Sequence, residues 1–97
     1  MEIKIAGYQV GILVSNTILA NESRLGDYSP FEQKIRLAEG LTSQQKEETL
    51  IHEVLEAIND IYELGLEHDE QLCKLSVAIH QIVVDNPQLI NALQLCD

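Results

Sequence analysis

A chain of 97 residues, 45% of them hydrophobic and with a mean hydropathy of −0.03, holds material for one small aliphatic core; at this length only ~60 to 65% of the unfolded surface is buried, and the composition excludes disorder. Six basic residues against sixteen acidic ones leave a formal charge of −10, which repels a phosphate backbone and excludes direct nucleic-acid binding. Met1-Glu2-Ile3-Lys4 opens without a basic, apolar leader and no apolar run approaches a membrane span, so the expectation is a cytoplasmic single domain over residues 1–97 with no membrane partner.

From Ile3 to Val14, β-branched residues mix with Gly7 and Gly11, which predicts one bulged strand or two short strands around a tight bend. Asn21 to Pro30 is dense in turn formers and reads as a loop. Gln33 to Leu37 alternates apolar Ile35 and Leu37 with polar neighbours and reads as the next strand.

Thr42 with Gln45 three residues on is a capping box and starts a helix. Ile51, Val54, Leu55, Ile58, Ile61 and Tyr62 follow at helical spacing, and Gly65 offers the left-handed conformation that ends helices. The expected span is Ser43 to Leu64. A second helix is expected from about Asp69, with Leu72, Leu75, Ile79 and Ile82 on one face, closed by Asp85-Asn86-Pro87. Gln88 to Leu95 reads as a last short turn of helix. Its Leu89, Ile90, Leu93 and Leu95 are too apolar for a free tail and point to docking on the core or to a homodimer. The expected fold class is α+β, a small antiparallel sheet or hairpin packed on two antiparallel helices.

On the first helix His52 and Glu56 lie four apart and present an imidazole and a carboxylate to one point. At ~100° per residue the apolar stripe centres roughly 110 to 150° away, which puts the pair on the polar side of the helix. Glu53 is rotated one step, where a general base acts on ion-polarised water without becoming a ligand. The bland reading is a solvated acidic face of Glu48, Glu56, Asp60 and Glu63. Against it, no Lys or Arg occurs between Glu47 and Cys73, so these carboxylates repel one another without a side-chain counter-ion.

A catalytic ion takes three protein ligands and keeps an open position. The third must come from beyond Gly65, with His68 and Glu70 as candidates. In a helix running to Leu64, His52 lies roughly 15 to 18 Å from the Gly65 end and His68 sits just past that end, so the two meet only if the helix stops early or the chain folds back. His80, off the apolar stripe, reads as a surface residue. Cys73 and Cys96 lack metal-site spacing and read as reduced thiols, Cys73 packed in a helix and Cys96 in a tail. Tyr8, Tyr28 and Tyr62 could polarise a carbonyl if near the site, but read first as packing residues.

Ile35-Arg36-Leu37, Leu41, Gln45 and the run Thr49-Leu50-Ile51-His52-Glu53-Val54-Leu55-Glu56-Ala57-Ile58 resemble the strand, loop and active helix of zincin-type metallopeptidases, particularly short phage and prophage versions. Leu66-Glu67-His68-Asp69-Glu70, the helix after it and Asp85-Asn86-Pro87 extend the resemblance over roughly residues 24 to 90. Glu56 stands where those proteins carry a second histidine, which makes the site harder and more anionic. The resemblance implies a minimal zincin-like domain with zinc on His52, Glu56 and His68, Glu53 as the catalytic base, and a peptide or protein substrate. The alternative is a non-enzymatic acidic phage protein that binds and inhibits a basic partner, such as a host defence or DNA-binding protein, for which the charge of −10 speaks.

Overall fold

The computed structural model describes residues 1–18 and 24–95, so the turn formers Asn21 to Ser23 and the tail thiol Cys96 lie outside the described residues. Strands β1 (Glu2–Ile5) and β2 (Tyr8–Ser15) form an antiparallel hairpin. Its two-residue turn has φ of 50° at Ala6 and 84° at Gly7, the paired positive values of the turn whose twist matches its flanking strands. Of the two readings of this segment, two strands around a bend is the one observed.

Strand β3 (Gly26–Ser29) lies inside the stretch read as a loop. It crosses to the far side of the sheet and turns back into β4 (Lys34–Ala38), which fills the gap and gives the order β1-β2-β4-β3. Because β3 runs antiparallel to β4, the returning β4 pairs with β2 in parallel, in the register Ile12↔Ile35 and Val14↔Leu37. The α+β class holds, while the sheet is mixed where a wholly antiparallel one was expected. Its inward residues Ile5, Val10, Ile35 and Leu37 close on Ala57 of the covering helix as the core, flanked by Leu50, Val54 and Ile58.

That helix, α1 (Ser43–Ile61), starts as expected: Thr42 Oγ1 accepts from the Gln45 amide at 3.2 Å, and Gln45 Oε1 accepts from the Thr42 amide at 3.1 Å. It ends three residues before the expected Leu64. Tyr62 caps it, and Glu63 at φ 53° takes the left-handed position that closes the helix, with Gly65 also left-handed two residues on at φ 69°. The Leu64 amide donates to Asn59 O at 3.0 Å and the Glu63 amide to Asp60 O at 3.2 Å, the paired bonds of a Schellman close. A non-glycine residue costs roughly 1 to 2 kcal/mol there. Glu63→Gly should therefore stabilise the chain by about 1 kcal/mol and raise its melting point by ~4 to 8 °C in a thermal melt.

One turn of π-helix (His68–Leu72) leads into α2 (Cys73–Asp85), and α3 (Leu89–Leu95) follows a break at Asn86-Pro87. The expected Leu72-Leu75-Ile79-Ile82 stripe is turned inward only in part, at Leu72 in the π turn and at half-buried Ile79 in α2. Leu72 and Ser76 are buried, whereas Leu75 and Ile82 are exposed. Apolar residues occur all round α2, so hydropathy alone could not choose its face, and small Ser76 is what lets the backbone approach α1. Ile90 and Leu93 of α3 are exposed on the described chain. No helix among the described residues is long and apolar enough to cross a membrane.

Candidate metal centre

The early end of α1 makes the site. Asn59, in its last turn, folds the chain back with its side chain: Oδ1 accepts from the Leu66 amide at 2.9 Å and Nδ2 donates to Leu66 O at 3.2 Å. Glu67 then caps the π turn, its two oxygens accepting from the Asp69 amide at 2.9 Å and the Glu70 amide at 2.5 Å. Both conditions for convergence are met, and His68 swings back beside His52. Asn59→Ala leaves the Leu66 amide and carbonyl without these partners. It should cost ~1 to 3 kcal/mol in denaturant melts and weaken binding of any metal ion held at His68 by roughly ten- to hundredfold, the range seen when groups that orient ligands are lost.

His52 Nε2 and His68 Nε2 lie 3.2 Å apart, His68 Nε2 and Glu56 Oε1 3.2 Å, and His52 Nε2 and Glu56 Oε1 4.0 Å. Ligand atoms at 2.0 to 2.1 Å from a tetrahedral ion are separated by roughly 3.3 Å. The three donors thus span one face of such a coordination shell. The other ring nitrogens are held: His52 Nδ1 sits 3.3 Å from Ser76 Oγ and His68 Nδ1 2.9 Å from Asp69 Oδ1. An imidazole that donates Nδ1–H to an oxygen presents its Nε2 lone pair to the site, the arrangement typical of metal-ligating histidines. The rings meet edge to face with centroids 5.1 Å apart. A π turn such as the one that carries His68 is rare and recurs at functional sites.

Burial holds His52 below the usual histidine range, while the Asp69 hydrogen bond raises His68. His52 is thereby kept neutral, and His68 can share a proton with Glu56 that a metal ion would replace. His52 and Glu56 are not on a solvated face. Their side chains are 21% and 29% exposed and line an open cleft of about 540 Å³ between β3, α1 and α2.

Glu53 is the deepest carboxylate, 5% exposed, with a buried Oε1 that has no hydrogen-bond partner. Burial first, then a hydrogen bond to Glu56, pushes it up to about 8. Gly26 of β3 brings the sheet edge against it: a Cβ on Gly26 would stand 2.6 Å from Thr49 Cγ2 and 2.9 Å from Arg36 O. Close approach thus explains why a glycine sits inside this strand. Opposite on β4, Arg36 grips Asp27, which also pairs with Arg24 at 3.0 Å. The bond with Arg36 lowers Asp27.

The structure brings together His52, Glu53, Glu56 and His68, and the groups His52-Glu53-Glu56 and His52-His68-Cys73 could each hold a metal ion. Glu70 is turned away, its Oε2 3.0 Å from Lys74 Nζ. His80 is not on the surface: its side chain is 13% exposed, with Nε2 3.3 Å from Glu47 Oε2. It packs on α1 beyond the cluster. Tyr28 lines the cleft, but its hydroxyl donates to Asp60 Oδ2 at 3.0 Å and burial pushes it up to about 12. Tyr8 and Tyr62 are exposed elsewhere. Ser76 and Asn59 went unnoticed in the sequence, since neither residue type signals a role without its partner. No family model, curated protein or solved structure matches this chain.

Proposed function

We propose that the chain is a minimal zincin-like metalloprotein that holds zinc on His52, His68 and Glu56 and hydrolyses peptide bonds. The observation that carries this reading is the convergence of His52 Nε2, His68 Nε2 and Glu56 Oε1 within 3.2 to 4.0 Å, with both Nδ1 atoms anchored. Glu56 replaces a histidine on the helix, but His68 supplies an imidazole from beyond it. The donor set is therefore two histidines and one glutamate, a set that zinc peptidases also use. A bound zinc ion would supply that acidity to water and to a substrate carbonyl.

Glu53 takes a proton and returns it. Its unpartnered oxygen and its place beside Glu56 fit a carboxyl whose proton moves during hydrolysis. Among the described residues β3 is an edge strand that lines the cleft, so an extended peptide can pair with its backbone and pass over the donors.

The test is the metal content of protein purified without a histidine tag or chelator, followed by hydrolysis of a peptide library with the zinc-loaded form. About one zinc per chain and zinc-dependent cleavage support the reading. A metal-free chain that instead captures a basic protein, with affinity falling as salt rises, would replace it by the acidic binding module that a charge of −10 favours.

A further inference from the structure

Cys73 is left over from this donor set, yet it stands in the same cleft, partly exposed. Its Sγ lies within 4.8 Å of a ring nitrogen of His52 and of His68. The π turn explains how. In an α-helix, residues five apart point roughly 140° away from each other. Here the Cys73 amide donates to His68 O, and this wider turn brings both side chains to one side. Glu53, 5% exposed and with an unpartnered Oε1, lines the same cleft.

Resting on the zinc reading above, we propose that Cys73 is a fourth protein ligand of that ion, so that the centre has a closed state with two nitrogens, one oxygen and one sulfur. Cys73 reaches the ion by rotation about its single side-chain torsion. The S–H bond is lost, an ion–sulfur bond forms, and the proton leaves to solvent. Four protein ligands define a closed zinc site and three leave a catalytic one, so Cys73 holds the centre latent until peptide or a thiol-modifying reagent displaces it. The sulfur also shifts selectivity toward zinc and away from magnesium and calcium, which the carboxylates alone would admit.

The test loads the whole chain with cobalt(II) in place of zinc and reads two absorption features, the visible d–d bands and a near-ultraviolet thiolate-to-cobalt charge-transfer band. Wild type should show both. Cys73→Ser should lose the charge-transfer band, keep the d–d bands and bind zinc at least tenfold more weakly in chelator competition, with the metal-free melting point unchanged. Cys96→Ser should behave as wild type. Wild-type d–d bands without charge transfer, or a charge-transfer band lost only in Cys96→Ser, would overturn the Cys73 ligand and leave the zinc centre standing. Absence of any cobalt binding at neutral pH would overturn both.

Discussion

Zinc at a hundredfold excess over its Kd should raise the melting temperature of the chelator-treated protein by roughly 10 to 20 °C. A ligand that binds only the native state adds about 2.7 kcal/mol at that excess, and in a domain of this size each kcal/mol moves the melting point by ~4 to 8 °C. His52 and Glu56 come from α1 and His68 from the π turn, so the ion would tie the two elements together. His52→Ala should abolish the rise, since it deletes one of three donors and leaves Ser76 Oγ without its partner. His68→Ala should do the same. Glu70→Ala should change nothing, because Glu70 is engaged with Lys74. A zinc-dependent rise that survives His52→Ala but not Glu70→Ala would mean that the ion sits elsewhere.

Much of the frame that carries this centre is legible in the chain. The capping box fixes the first residue of α1, the alternation of Ile35 and Leu37 fixes β4, and residues four apart put His52 and Glu56 on one face. Strand β3 is not legible, because three of its four residues serve a tertiary partner: Gly26 by close approach to Thr49, Asp27 by pairing with Arg36, Tyr28 by bonding Asp60. In isolation those same residues are turn formers. The end of α1 misleads for a related reason. Gly65 advertises a helix stop, but the backbone bonds to Asn59 O and Asp60 O close the helix at Tyr62 and place Glu63 in the strained conformation. His68 follows from that stop, and its approach to His52 rests on an asparagine bonded to the backbone seven residues away, a pairing with no signature in spacing. Cys73 reads as an ordinary packed thiol because the helix entered at His68 is read as α. Only the π turn reveals its alignment.

Glu53→Gln should separate the chemistry from the fold. In the metal-free protein burial and the hydrogen bond with Glu56 push Glu53 up to about 8 from the ordinary 4.5, so the folded state holds its proton more tightly than the unfolded chain does. For an acid shifted upward the linkage is unfavourable to folding at high pH: stability associated with Glu53 is full below about 4.5 and declines as pH rises toward 8. Each pH unit of such a shift is worth 1.36 kcal/mol at most, so ionising this carboxyl at pH 8 should cost the fold on the order of 2 to 4 kcal/mol. Glutamine stays neutral throughout and can still donate to Glu56, as protonated Glu53 does. The variant should therefore be more stable than wild type at pH 8, with the difference vanishing by pH 4, as measured in denaturant melts with chelator present. With zinc bound, the variant should keep its affinity within a few-fold, since His52, His68 and Glu56 are untouched, while peptide hydrolysis falls by ~10²- to 10⁴-fold, the usual worth of a positioned acid–base group. A residue kept at a cost in stability and lost at a cost in rate is what a functional carboxylate should be. Equal stability of the two proteins at pH 8 would show that Glu53 is not a strained carboxyl, and undiminished hydrolysis would remove it from the reaction.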